Sequence, residues 1–413
     1  MPVLRTLSLL SGISGFEIAL KGLATPIAYC DIDADARTVI QERMKERLLP
    51  RAPVLEDVCD IHARDLPSAV DMIVGGYPCT DLSSLGARLG MRKGKRSGLV
   101  REVFRLADET KCPMIFMENV AVLVTHGFDL IVDELVTQRG YEFTWGIFSA
   151  SQVGAPHVRR RIYMLFRKPG FEPGLPPRAL AEAARGQPAF DWRASAAPPR
   201  MVPPERRHAD CRRKRVAMCG NSIVPQCARF AFATLLAGFA DERLEQVTVP
   251  RNASFPPWGV ARRTPSGTRI FALRDPPPVP SPGLSIVLDP KAFDGKRRQE
   301  PMYGRERSPY LTEPLTIASF STPRSVTTAA QQITERTSRD LPTQVRFARD
   351  TPANLRSGQL SAEFCEWLMG YPVGWTLMPA GHVAVPQHGA RPGMVKAFQA
   401  KLAQERLLHP PKK

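Results

Sequence analysis

Residues 4–16, LRTLSLLSGISGF, carry the reading that decides the fold. Leu4–Leu10 reads as a buried strand. Ser11, Gly12 and Gly15 read as the turn that hands it to a helix starting near Phe16. Glycines in such a turn let the backbone approach a ligand and leave helix N–H groups free. The same rhythm continues outward. Strands are expected at Ile27–Cys30, Val70–Val74, Met114–Met117 and Ile162–Phe166. Helices are expected at Ala34–Arg47, Gly98–Glu109 and Leu130–Gln138. Strands separated by helices predict an α/β fold: a doubly wound, mostly parallel, Rossmann-like sheet with both faces covered. In such sheets ligands bind beyond the carboxyl ends of the strands, so the chemistry should sit directly after them.

The residues found there are informative. Asp31 and Asp33 follow the second strand, where an acid can bind ribose hydroxyls, and Asp57 follows the next short segment, where it can meet an adenine amino group. The absence of a G-x-G-x-x-G pattern argues against a nicotinamide cofactor. Val70–Val74 runs into Gly75-Gly76-Tyr77-Pro78-Cys79-Thr80, which leaves Cys79, held by Pro78, facing the crevice. A lone Cys is ordinarily a buried structural thiol. Here Glu118-Asn119 follows the strand Met114–Met117 and brings a carboxylate to the same rim. A Cys and a Glu at neighbouring strand ends read as a nucleophile and an acid.

Composition bounds the rest. The 413 residues suffice for two or three domains, and a 43 % hydrophobic content supports a sizeable core. No run of ~18 apolar residues marks a membrane span, and the apolar stretch near residue 4 reads as a buried strand, not a signal peptide. An intracellular protein that is not secreted is therefore expected. The eight Cys show no C-x-x-C pair and no zinc-ligand spacing, so no metal is expected and most read as reduced thiols. The net charge of +17 favours a polyanionic partner. Three basic groups suggest a surface that tracks phosphates: Arg92, Lys93, Lys95 and Arg96; Arg159, Arg160 and Arg161; and the run from Arg206 to Arg215.

Five regions are expected. Residues 1–166 form the catalytic and cofactor-binding domain, 167–215 a Pro- and Ala-rich linker with a basic segment, and 216–240 a helix completing the catalytic domain. Residues 241–378 form a smaller, loop-rich domain, and 379–413 a tail. The loop-rich part carries scattered Arg with Trp258, Phe271 and Phe320. Trp367, Tyr371 and Trp375 further on read as core aromatics.

Taken together, these segments resemble the DNA cytosine-5 methyltransferase family. Residues 10–17, LSGISGFE, look like its cofactor loop; Asp31 looks like its ribose-binding acid and Asp57 like its adenine contact. Gly76-Tyr77-Pro78-Cys79 matches the nucleophile motif and Glu118-Asn119-Val120 the acid motif. Residues 154–161, GAPHVRRR, resemble the Gln-x-Arg-x-Arg motif, whose arginines Arg159 and Arg161 would position the base and the catalytic groups. Residues 220–226, GNSIVPQ, match the final motif, whose helix closes the cofactor pocket. Residues 360–372, LSAEFCEWLMGYP, resemble the motif that supports target recognition.

The resemblance implies S-adenosyl-L-methionine as cofactor, held by Ser11, Gly12, Gly15, Phe16, Asp31, Asp57, Asn221 and Ser222. It implies double-stranded DNA as partner, no membrane, a monomer on DNA, and target reading mainly by 241–359. The chemistry fits the pairing. Carbon 5 of cytosine is a poor nucleophile until a thiolate adds to carbon 6, and a carboxyl at ring nitrogen 3 assists that addition. A base inside a duplex must first be flipped out. A tRNA cytosine-5 methyltransferase shares this chemistry, and a catalytically inactive DNA-binding homologue shares the fold; both stay open here.

The chain departs from the family pattern at named positions. Ser8 stands where Asp is usual, Leu10 where Phe is usual, Thr80 where Gln or Asn is frequent, and His157 where Gln is usual. The Gly-Asn-x-x-Val-Pro segment precedes the target-recognition region instead of following it. That order resembles a rearranged C-terminal half of the kind found in phage or large-virus enzymes.

Overall fold

The computed structural model describes residues 3–77, 99–121, 123, 128–175, 180, 190, 192, 195–202, 211–240, 260–263, 269–273, 359–382 and 384. Its strands are β1 (Leu4–Leu9), β2 (Ala24–Cys30), β3 (Val54–Leu55), β4 (Met72–Gly76), β5 (Met114–Val120), β6 (Glu142–Ser149), β7 (Arg160–Arg167), β8 (Met201–Val202), β9 (Val260–Arg263), β10 (Arg269–Leu273) and β11 (Gln359–Leu360). Its helices are α1 (Gly15–Ala19), α2 (Ala34–Lys45), α3 (Leu99–Thr110), α4 (Phe128–Val132, running into a π turn at Asp133–Thr137), α5 (Arg212–Asn221), α6 (Pro225–Ala240) and α7 (Ala362–Leu368).

Nine strands form one sheet in the order β3-β2-β1-β4-β5-β7-β6-β10-β9, and β8 and β11 form a separate pair. The sheet is parallel from β3 through β5. From β7 onward each new strand is antiparallel to its neighbour. The chain moves from β1 out to β2 and β3, then returns to lay β4 on the other side of β1. The order therefore reverses between β1 and β4, and that reversal opens the crevice at which a doubly wound sheet binds its ligand.

Alternation along each buried strand sends side chains to two apolar layers. One face carries Leu4, Met72, Met114 and Phe116 against α1, α2, α6 and α7. The other carries Leu7, Ile73, Ile115 and Met117 against α3 and α4. Helices on both faces make the sheet doubly wound, as the sequence predicts. Capping at α2 follows the local sequence: the Asp33 side chain accepts from the N–H groups of Asp35 (3.0 Å) and Ala36 (3.4 Å).

Several expectations change. Strand β5 runs on to Val120, so Glu118 and Asn119 lie within the strand and not after it. Strand β4 likewise reaches Gly76. No strand is expected at 142–149, where β6 forms between β7 and β10. Strands β9 and β10 belong to the stretch assigned to target recognition, yet they extend the sheet of the catalytic domain. Residues 359–378 also join its core: Trp367, Tyr371 and Trp375 are buried there beside Ile13, Phe16 and Ile223. The stretch Arg212–Phe239 has the length and composition of a membrane span, but 83 % of its apolar window is buried inside the protein.

In the described part of the basic run from Arg206, Arg213 is exposed but Lys214 and Arg215 do not face solvent. Lys214 is buried between Asp33 (2.7 Å) and Asp35 (3.1 Å). Arg215 is 1 % exposed and pairs with Glu363 (2.7 Å) and Glu366 (3.1 Å). Such charges enter a core only when paired, and here the pairs tie α5 to α2 and α7. Arg206, Arg207 and the group at 92–96 lie outside the described residues, as do Trp258 and Phe320.

Candidate active site

The register of β4 and β5 sets the site. Gly76 pairs with Glu118, and on the far side of β5 Glu118 pairs with Tyr163 of β7. The Glu118 carboxylate is buried and receives the Arg161 guanidinium at 3.0 Å from Nε to Oε1. A Cβ on residue 76 would lie 3.1 Å from Glu118 Oε2, so glycine there leaves the carboxylate its place. Burial raises the Glu118 pKa, and the positive charges of Arg161 and Arg159 oppose that rise. The result is a carboxyl that holds a proton more readily than an exposed one.

Asn119 faces the other way. Its Nδ2 donates to the Tyr77 carbonyl at 3.0 Å, and its Oδ1 accepts from the Val120 N–H at 2.8 Å. It therefore fixes the point from which the chain leaves β4 toward Pro78 and Cys79. Both of those residues lie outside the described residues. The geometry brings the base of the Pro78-Cys79 segment to Glu118 but says nothing of the thiol.

Arg159 and Arg161 part company although they lie two residues apart. Arg161 turns to Glu118. Arg159 is buried and donates through Nη2 to the carbonyls of Ser222 (2.7 Å) and Gly220 (3.2 Å). Burial, together with the charge of Arg161, lowers the Arg159 pKa to about 10. Arg159 thereby fastens the start of β7 to the connection between α5 and α6. His157 departs from any direct role at a base. Its Nε2 lies 3.0 Å from the Leu368 carbonyl, which can only accept, so Nε2 carries the proton. Its Nδ1 has no partner, and burial lowers its pKa to about 3, so the ring stays neutral and latches β7 to α7.

Of the residues expected at the cofactor, Ser11, Gly12, Asp31 and Asp57 sit after the ends of β1, β2 and β3. The loop after β1 is held by Asp31, whose Oδ2 accepts from the Gly12 N–H (2.6 Å) and whose Oδ1 accepts from Asp33 N–H (2.8 Å). Ser11 Oγ accepts from the Cys30 N–H at 3.1 Å and lies 2.8 Å from Ser8 Oγ. Gly12 has a φ of +54°, and Leu10 (+54°) and Ser14 (+63°) share that left-handed region, so the loop is tight and strained. Asp57 accepts from the Cys59 N–H at 2.9 Å. Ile32 is exposed beside Asp31 and offers an apolar face at the crevice.

Two of the residues expected at the cofactor also pack in the core. Phe16 is in the core, edge-on to Phe116 with ring centres 5.4 Å apart. Gly15 is small for packing, since a Cβ there would lie 2.5 Å from both Ile223 and the Tyr371 hydroxyl. Asn221 is exposed at the end of α5, and Ser222 is buried with its hydroxyl on the Cys219 carbonyl (2.8 Å). Sequence reading missed Glu17, which is buried on α1 with neither carboxylate oxygen partnered. The signal was present: an acid interrupts the apolar run GFEIAL at residues 15–20.

The site is thus a doubly wound, Rossmann-like sheet with an arginine-bound carboxyl at its rim. The model of the C-5 cytosine-specific DNA methylase family matches residues 4–187. The chain is 29 % identical over 380 residues to the type II methyltransferase M.CviJI of Paramecium bursaria Chlorella virus IL3A, covering 89 % of this chain and 96 % of that one. Bacterial relatives match over a shorter span. M2.BsuMI of Bacillus subtilis is 31 % identical over 39 % of this chain and 41 % of that one. M.HhaI of Haemophilus parahaemolyticus is 28 % identical over 39 % of this chain and 48 % of that one. The chain is thus similar to the C-5 cytosine-specific DNA methylases over residues 4–187, and to a large-virus type II methyltransferase over 89 % of its length.

Proposed function

We propose that this chain transfers the methyl group of S-adenosyl-L-methionine to carbon 5 of a cytosine flipped out of duplex DNA, as a monomer, through a covalent adduct to Cys79. The observation that carries this reading is the Glu118 carboxyl, buried, bound by Arg161 at 3.0 Å and paired in register with Gly76, three residues before Cys79. Bound S-adenosyl-L-methionine supplies the electrophilic methyl group. The Cys79 thiolate adds to carbon 6 and makes carbon 5 nucleophilic; after transfer a base takes the carbon 5 proton and the thiolate leaves. Glu118 holds a proton toward ring nitrogen 3 and so favours that addition. Its raised pKa suits it to donate, and Arg161 keeps it aimed. Asn119 anchors the nucleophile segment through the Tyr77 carbonyl, and Arg159 holds the cofactor-side wall through Ser222.

The cofactor residues fit the chemistry of the group. Asp31 and Asp57 offer carboxylates at successive strand ends, each with lone pairs left after its backbone contacts. Ser11, Gly12 and Gly15 shape the loop, and Asn221 and Ser222 stand across from it.

The test is methyl transfer from labelled S-adenosyl-L-methionine to duplex DNA and, separately, to tRNA. A duplex carrying 5-fluorocytosine should trap the full chain covalently, and the Cys79→Ala variant should escape trapping. Transfer to tRNA with none to DNA would assign the same chemistry to a different substrate. Cofactor and duplex binding without transfer would leave an inactive homologue.

A further inference from the structure

Glu17 is a carboxylate without a counterpart. It lies buried on α1 beneath the loop Ser11–Gly15, and neither of its oxygens has a hydrogen-bond partner. The groups around it are otherwise engaged. The Tyr29 hydroxyl donates to the Pro50 carbonyl (3.0 Å) and the Tyr371 hydroxyl to the Ile223 carbonyl (3.1 Å). The Ser8 hydroxyl lies against Ser11 Oγ at 2.8 Å. A buried carboxyl left unmatched is costly to a fold, so its retention points to a partner that arrives from outside.

The strand order says which part of a ligand that partner belongs to. Asp57 follows β3, Asp31 follows β2, Ser8 ends the inward face of β1, and Tyr77 follows β4. Neighbouring strands are about 4.8 Å apart, so these positions step along the crevice in the order of the cofactor's parts. On that reading adenine would lie at β3, ribose at β2, the amino-acid end at β1, and the methyl group toward β4. Asp31 and Asp57 already accept backbone N–H groups. Glu17 alone of the three accepts none, and it neighbours Ser8 of β1, where the amino-acid end would lie. Ser8 occupies the position where the family usually has Asp. The chain has lost an acid from β1 and holds one on α1, on the same inward face of the sheet.

Resting on the cofactor reading above, we propose that Glu17 binds the α-ammonium of S-adenosyl-L-methionine, so that the acidic charge missing from position 8 is supplied from α1. The carboxyl's behaviour agrees. Burial raises its pKa to about 7, and the nearby Ser8 hydroxyl, though turned to Ser11, opposes the rise. An arriving ammonium stabilises the charged form.

Calorimetric binding to the full chain tests this with two probes. S-adenosylhomocysteine has the ammonium and no sulfonium charge; 5′-methylthioadenosine lacks the amino-acid end. Glu17→Gln should weaken S-adenosylhomocysteine between about tenfold and a hundredfold, the loss expected for one charge-assisted hydrogen bond. Methylthioadenosine affinity should stay within about twofold. Ser8→Asp added to Glu17→Gln should restore most of the lost affinity, because it returns the carboxylate to β1. Equal weakening of both probes, or unchanged S-adenosylhomocysteine binding in Glu17→Gln, overturns the assignment while leaving the cofactor reading intact. If the unsubstituted chain binds neither probe, both readings fall.

Discussion

Gly76 and Glu118 lie opposite each other across β4 and β5, and a Cβ at position 76 would come within 3.1 Å of Glu118 Oε2. This makes Gly76→Ala a test of carboxyl placement that leaves the carboxyl itself intact. The variant should fold, because the sheet pairing is kept. Methyl transfer in a single turnover should slow by about tenfold or more, as expected when a catalytic group is displaced by a few tenths of an ångström. A rate equal to the parent would show that the carboxylate has slack there.

Glu118→Gln keeps the shape of the side chain and removes the acid. Transfer should slow by about a hundredfold to ten-thousandfold, the usual range for losing a general acid. Cys79→Ala should abolish transfer and leave duplex affinity within about twofold, measured by fluorescence anisotropy. Residual turnover in Cys79→Ala would refute the nucleophile.

Glu17 should leave a pH signature on stability. Its carboxyl titrates near pH 7 in the folded chain against an ordinary value of 4.5. Between those values the folded state holds the proton more tightly than the unfolded one, so stability falls as pH rises through that window. Above about pH 7 the full cost of the buried charge is present. Without cofactor, Glu17→Gln should be more stable than the parent at pH 8 by up to about 3 kcal/mol, and the gap should close by about pH 4.5. Urea unfolding across that range measures it. A constant gap would show that the carboxyl is not buried as a charge.

His157 latches β7 to α7 through the Leu368 carbonyl. His157→Ala removes a buried ring and strands that acceptor, at a cost of about 2–4 kcal/mol. His157→Gln can place an amide N–H on the same oxygen and should cost less than half as much. Chemical denaturation separates the two. Equal losses would assign the effect to packing alone.

Much of this was legible in the sequence because the signals were local. The loop LSGISG, the acid Asp31 and the pair Glu118-Asn119 lie within or beside the strands that display them. What stayed hidden depended on distant partners. Lys214 and Arg215 read as solvated charges because Asp33, Asp35 and Glu366 are remote in sequence. Strand β6 carries Thr144 and Gly146 among its aromatics, which blurred its run; the Thr144 hydroxyl is satisfied by the Leu235 carbonyl on α6. The packing of Phe16 against Phe116 also stayed hidden, because the two lie 100 positions apart.

The Trp375 indole donates to the Ile13 carbonyl at 2.8 Å, and Arg43 holds the carbonyls of Gly374 and Trp375. During synthesis, therefore, the glycine turn near the start must wait for residues made more than 350 positions later before its surroundings are finished. A ribosome that stalls before that point releases a sheet without its closing brace.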